Sequence, residues 1–328
     1  MGRGAISVDF MLKSLAKRFL FESGLLGMWH RRRNRNNLTV IMFHRVLPPE
    51  DVRFDGANRT YTVTPEEFEQ CISLFARFYN LVSLAQVGAA RAGRGKLADC
   101  PLLITFDDGW QDNFQYAFPI LARHKAPALL FLATDYIGCR KGFWQEELLG
   151  ALSQNRSAGS TAHAEALARI GKLNAMSPAD RKQQLADLPE PSGLPRRMLD
   201  VEEIKALQAG GVAVGGHGHS HEPMTELDDP HAEFLACHER LSALGLLEEP
   251  VAFSFPHGRH DEKLVAQARL AGFDLLFTSR HMLTPCARLA ECETLGRIEM
   301  DLRPFRLRHE GLKEAELLFS IVTQRTLP

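Results

Sequence analysis

Short apolar runs alternate with amphipathic stretches along most of the chain. Leu38-Thr39-Val40-Ile41-Met42-Phe43 reads as a buried strand, and after a loop the segment TPEEFEQCISLFARF repeats its apolar positions at helical spacing. Thr64 stands where an N-cap belongs, Pro65 at the first helical position, and Glu67 where a capping-box acid reaches back. Further strands are predicted at Leu81 to Leu84, Leu102 to Phe106, Ala128 to Ala133, Val212 to Val214, Val251 to Phe255 and Leu275 to Thr278. Helices are predicted around Ala117 to His124, Ala232 to Leu244 and Lys263 to Ala271. Repeated strand–helix alternation predicts an α/β fold with a parallel sheet covered by helices, and at this length a (β/α) barrel.

Two segments depart from that rhythm. Residues 146–199 are rich in Ala, Ser and charged residues, carry two helical patterns and end at Pro189, Pro191 and Pro195; they predict a helical insertion between two barrel strands. Residues 1–37 hold eight Lys or Arg against two acids, with Leu12, Leu15, Ala16, Phe19 and Leu20 at helical spacing. A basic amphipathic helix over Phe10 to Leu20 suits peripheral contact with an anionic membrane, and packing of the same residues on the domain is the alternative. Residues 38–328 are then the barrel domain.

Composition narrows the classes. A chain of 328 residues with 45% hydrophobic content can bury a substantial core. A net charge of −1 gives no overall pull toward nucleic acid. Cys71, Cys100, Cys139, Cys237, Cys286 and Cys292 are scattered with no C-x-x-C pair, as expected for reduced thiols in the cytoplasm. No stretch approaches the roughly 18 to 20 apolar residues that span a bilayer. No uncharged run leads to a secretory cleavage site. The expectation is a cytoplasmic protein, peripheral at the inner face of the membrane.

Candidate chemistry sits at strand ends, where parallel α/β folds gather functional groups. TFDDGW (Thr105 to Trp110) ends an apolar strand in two adjacent carboxylates; HGHSH (His217 to His221) and PHG (Pro256 to Gly258) follow two others. Two neutral imidazoles and one carboxylate form a ligand set for a divalent metal, with the second acid left as a base, which is equipment for hydrolysing an amide or ester. A metal also offsets the cost of grouping the carboxylates. Spacing leaves the histidines open: His217, His219 and His221 share one side of an extended chain, but only His217 and His221 share a helical face. The H-E-x-x-H metalloprotease pattern is absent, since Gly215-Gly216 opens the stretch and no Glu follows the first His. Non-haem iron oxygenases share the ligand set, but their all-β fold is opposed by the alternation. Trp110 and the GFW stretch at Gly142 to Trp144 offer ring faces to a sugar, with core packing as the alternative, favoured for Phe143.

LLITFDDGWQDNFQYAFPIL, GGHGHSHEPM, FSFPHGRHD and LGRIEM, in that order, resemble the polysaccharide deacetylase family, known as carbohydrate esterase family four or the NodB homology domain. IMFHRVLP is similar to the strand that opens many members, so the resemblance covers Leu38 to Met300. It implies a distorted (β/α) barrel of that type and a hydrolase that removes the acetyl group of an N-acetylhexosamine in a polysaccharide or lipid-linked glycan, with zinc as cofactor and a place in exopolysaccharide synthesis. By position it implies Asp107 as catalytic base, Asp108, His217 and His221 as metal ligands, the His257 backbone N–H in the Pro256 turn as oxyanion donor, and Arg297 as the arginine that orients the base. His44, Trp110 and Pro256 are expected on the substrate side. Two departures stand out. Leu295-Gly296-Arg297 replaces the family's Leu-x-His general acid, leaving His44, His219 and His257 as candidates, and Ser254 stands where some relatives carry an arginine. A catalytically inactive carbohydrate-binding relative and a small-molecule amide deacylase are the alternatives; intact Asp107, Asp108, His217 and His221 oppose the first.

Overall fold

A computed structural model of the protein describes residues 8–153, 159–186, 195–307 and 311–326. Among the described residues the central sheet has ten strands, seven of which frame the barrel: β1 (Asn37–Phe43), β2 (Pro101–Phe106), β3 (Ala128–Leu132), β4 (Val212–Gly216), β5 (Ala252–Ser254), β6 (Leu275–Phe277) and β7 (Ile298–Glu299). Strands β1 to β6 lie side by side in chain order and parallel, with Ile41 opposite Ile104, Ile104 opposite Ala128, Leu130 opposite Val214, Gly216 opposite Phe253, and Phe253 opposite Leu276. The sheet curls until its ends meet: Leu295 bridges Phe277 of β6, and Ile298 of β7 pairs with Ile41 of β1. The lower half of that same β1 edge is covered by an antiparallel strand, Met282–Pro285. The expected distorted barrel is the architecture found.

Strand alternation sorts the core into two layers. Leu38, Val40, Leu103, Leu129, Phe131, Ala252, Leu275 and Leu295 meet inside the barrel. Ile41, Phe43, Leu102, Ile104, Phe106 and Leu130 turn outward under the helices. The helices are α1 (Val8–Glu22), α2 (Leu25–Asn34), α3 (Pro65–Phe78), α4 (Leu84–Arg91), α5 (Phe118–His124), α6 (Trp144–Ser153), α7 (Gly159–Asn174), α8 (Pro178–Gln184), α9 (Val201–Ala209), α10 (Pro230–Ala243), α11 (Glu262–Leu270) and α12 (Glu314–Val322). The capping box expected for α3 forms: the Thr64 side chain accepts from the Glu67 N–H, and the Glu67 side chain accepts from the Thr64 N–H.

Two expectations need correction. The strand at Leu81 to Leu84 is only Asn80–Leu81, because Ser83 and Gln86 form a second capping box that starts α4 at Leu84. Among the described residues the insertion between β3 and β4 holds three helices, α6 to α8, beginning at Trp144; Leu148, Leu149, Ala166, Ile170 and Leu173 give it a small core of its own. Pro189 and Pro191 lie outside the described residues. On α1, Leu20 packs against the main core together with Phe21, whereas Leu12, Leu15, Ala16 and Phe19 face outward.

A buried ion cluster ties the insertion to the barrel mouth. The Arg45 guanidinium, just after β1, donates to Asp112 at 2.8 and 2.9 Å and to Glu146 on α6. Asp112 also accepts from the Val46 N–H at 3.0 Å.

Candidate active site

The same alternation aims the site. Leu103, Thr105 and Asp107 follow one another on the inner side of β2, and Leu295, Arg297 and Glu299 do so on the segment that closes the barrel. Above the apolar interior, then, a carboxylate from β2 meets a guanidinium from the closing strand. Arg297 donates to Asp107 Oδ1 and Oδ2 at 2.5 and 2.7 Å, to Ser254 Oγ at 2.7 Å, to Thr105 Oγ1 at 3.3 Å and, through Nε, to the Thr278 carbonyl at 3.2 Å. All five guanidinium donors have acceptors, which is what makes an arginine only 1% exposed tenable. Burial works to raise the Asp107 carboxyl, but Arg297 and the nearby His217 hold it below its ordinary range.

Beside this pair, Asp108, His217 and His221 converge. One ligand atom from each lies within 4.8 Å of the others. Asp108 Oδ1 is 3.2 Å from His221 Nε2 and 3.5 Å from His217 Nε2. The backbone bends to achieve this: Asp108 (φ 84°) and His221 (φ 63°) adopt left-handed conformations that non-glycine residues seldom take. With Gly218 also left-handed (φ 76°), the chain after β4 folds back. His219 is thereby turned away, its ring bound to Thr134 Oγ1 at 2.9 Å and facing Asp135. Of the three histidines, His217 and His221 are the two that converge with Asp108.

Neighbouring groups orient these donors. His217 Nδ1 lies 2.8 Å from the Ser254 carbonyl; with the proton on that nitrogen, the Nε2 lone pair is free toward the cluster. The Trp110 indole N–H donates to Asp108 Oδ2 at 2.8 Å, leaving Oδ1 facing the histidines. Burial opposes ionisation of Asp108, but the hydrogen bond from His221 together with the charges of His221, His44 and His217 brings the carboxyl far below its ordinary range. Burial pushes His217 down to about 4, with Asp107 acting in the opposite sense. His257, left-handed at φ 56°, is pushed down to about 3 by burial and by His221 and His217. Phe143 stacks on His221, ring centroids 3.9 Å apart, and so braces that imidazole from behind.

A cavity of about 320 Å³ opens over the cluster, with His221, His257, His44, Tyr61 and Glu299 among its lining residues. His44 is half-buried, its ring 4.7 Å from that of Tyr61. Trp110 also lines the cavity, but it is 2% exposed, with the Arg45 guanidinium 4.3 Å from its ring centre and Phe143 at 5.2 Å, so little of its ring is open. Pro256 is buried and does not line the cavity; a Cβ at Gly218 would come within 3.2 Å of its ring, so it packs against the loop that carries His219. Glu299 and Tyr61 were not singled out from sequence. The signal for Glu299 was its place two residues beyond Arg297, on the same strand face.

Residues 94–276 match the family model described as polysaccharide deacetylase. Among curated proteins, YxkH of Bacillus subtilis (strain 168), itself named for polysaccharide deacetylation, is 24% identical over 160 residues, 48% of this chain and 52% of its own. The chain thus spans about half the length of that relative. IcaB from Ammonifex degensii superposes with a TM-score of 0.56 at 21% identity, over 81% of this chain and 92% of that one. A polysaccharide deacetylase from Bacillus cereus superposes with a TM-score of 0.55 at 17% identity, over 88% and 70%. At these identities the superpositions speak for the fold.

Proposed function

This chain belongs to the polysaccharide deacetylase family, whose members are hydrolases of N-acetyl amide bonds, and from that premise we propose that it is a metal-dependent N-deacetylase of an N-acetylhexosamine in a polysaccharide or lipid-linked glycan. The observation that carries the proposal is the convergence of Asp108, His217 and His221 beside an Asp107 held by Arg297.

The donor set suits a divalent ion, and zinc is our assignment. Ligand atoms about 2.05 Å from a tetrahedral ion stand about 3.3 Å apart, and two of the three edges here are 3.2 and 3.5 Å. Two imidazoles and one carboxylate leave coordination positions for water and substrate. Such an ion, held by Asp108, His217 and His221, supplies Lewis acidity to the acetyl carbonyl and makes a water more acidic.

The protein's own groups do the rest. Asp107, kept ionised by Arg297, accepts a proton as water attacks the acetyl carbon. We assign the His257 backbone N–H, in its left-handed turn beside the cavity, as the donor to the developing oxyanion. When the C–N bond breaks, the amine needs a proton. We assign the donor to His44, which lines the cavity and is felt electrostatically by both Asp107 and Asp108; His257 is pushed toward neutrality and His219 faces Thr134. Acetate and a free amino sugar result.

Acetate release from a panel of N-acetylated glycans, with and without chelator, tests the reading. Asp107→Asn should keep its metal and lose about 10²- to 10⁴-fold in rate, whereas Asp108→Asn should lose the metal. Full activity of Asp107→Asn, or turnover indifferent to chelator, would overturn it.

A further inference from the structure

The outer faces of α1 and α2 are apolar and open. Leu12, Leu15 and Phe19 on α1 are 60, 60 and 65% exposed, and Leu25, Met28 and Trp29 on α2 are 44, 62 and 41% exposed. These six are nearly half of the exposed large apolar side chains among the described residues. A helix on a soluble domain ordinarily turns its apolar stripe inward. Here α1 is held by its opposite side: Ser14 Oγ donates to Glu316 of α12 at 2.6 Å, Leu20 joins the core, and the Phe21 ring lies 5.8 Å from Phe78. The stripe Leu12-Leu15-Phe19, at i, i+3 and i+7, is therefore exposed although the helix is docked. Phe319 of α12 joins the two helices, with the Trp29 ring 5.8 Å away and Lys17 Nζ 4.8 Å from its centre. Scattered apolar residues on a surface need no explanation; six exposed on two consecutive helices that touch each other do.

The charge around the patch selects the occupant. Between residues 12 and 35 stand Lys13, Lys17, Arg18, Arg31, Arg32, Arg33 and Arg35 against a single acid, Glu22, which pairs with Arg18. Arg35 pairs with Asp99 and Arg33 donates to the Val322 and Gln324 carbonyls, whereas Arg31 and Arg32 have no ion-pair partner among the described residues. Arg31, Arg32, Arg35 and Arg77 line a groove at the end of α2. A second copy of this chain would bring the same positive charge to the contact. A surface of anionic phosphates over hydrocarbon matches both halves: basic side chains for the headgroups, and Leu, Met, Phe and Trp for the acyl boundary.

We propose that the outer face of α1 and α2 docks on an anionic lipid bilayer, lying in its interface and not spanning it. No described helix is long and apolar enough to cross a membrane.

Co-sedimentation of the full chain with phosphatidylcholine vesicles, with and without phosphatidylglycerol, tests the proposal. Binding should require phosphatidylglycerol and weaken as salt is raised. Leu15→Ser/Phe19→Ser should weaken it by about a hundredfold, and Arg31→Glu/Arg32→Glu should abolish the dependence on phosphatidylglycerol. Both double variants alter exposed positions and should keep the wild-type melting temperature and acetate release from a soluble substrate. Asp107→Asn should bind vesicles like wild type, so loss of the deacetylase reading and loss of this one are distinguishable. No binding to anionic vesicles, equal binding to neutral ones, or a dimer in light scattering that Leu15→Ser/Phe19→Ser dissociates would overturn the proposal.

Discussion

Asp108 carries three constraints at once. Its backbone is left-handed, one carboxylate oxygen is occupied by the Trp110 indole, and the other faces two imidazoles. Trp110→Phe keeps an aromatic ring packed under Arg45 but removes the N–H donor. Metal affinity, measured by competition with a chromogenic chelator, should fall about 10- to 100-fold, with acetate release recovering when metal is in excess. Unchanged affinity would mean that the indole fills space only. The carboxylates and histidines were legible in sequence because their chemistry is local to short motifs. The part played by Trp110 was not: a tryptophan after two acids reads as a sugar platform or as core packing, and the Arg45 that covers its ring comes from another strand. Likewise His219 differs from its neighbours only through the left-handed turns on either side of it.

Helix α2 carries a buried histidine that makes folding sensitive to acid. The His30 ring sits edge-on to Tyr79 at 4.3 Å, and neither ring nitrogen has a hydrogen-bond partner among the described residues. Burial, with Arg31 adding to it, pushes its pKa down to about 4. The unfolded chain takes up a proton near pH 6.5 that the folded chain refuses until about pH 4, so stability is full above 6.5 and declines as pH falls between those values. For this group alone the loss by pH 4.5 is about 2–3 kcal/mol. Denaturant midpoints at pH 7 and 4.5 should differ by less in His30→Gln than in wild type; an equal difference would place the acid sensitivity elsewhere. Element prediction succeeded where a signal was dense, as in the Thr64 capping box. It failed at Leu81 to Leu84, where a short apolar run outweighed the Ser83–Gln86 pair in the reading but not in the fold. The N-terminal helix was recognisable by its spacing, yet which of its residues would pack depended on α12, far away in the chain.

At the scale of the molecule, barrel and insertion are joined by charge as well as by apolar contact. Arg45 is 1% exposed and serves two acids, Asp112 below and Glu146 from α6. Arg45→Met leaves both carboxylates buried without their cation. Chemical denaturation should show a loss of about 3–5 kcal/mol, and a loss below about 1 kcal/mol would mean that water or Arg197 takes over. Strand–helix alternation made the barrel legible, and the break in rhythm located the insertion. The clamp was hidden because its partners lie 67 and 101 residues apart in sequence. The closing strand was hidden for a different reason: β7 has two residues, too few to show a period.

That short strand makes the setting of one carboxylate a matter of ring closure. Asp108, His217 and His221 come from the end of β2 and the turn after β4, in the middle of the sheet. The cation that grips Asp107 sits on the last barrel segment, sewn against the first strand. Of two neighbouring acids, one is thus tied to the seam of the barrel and the other is independent of it.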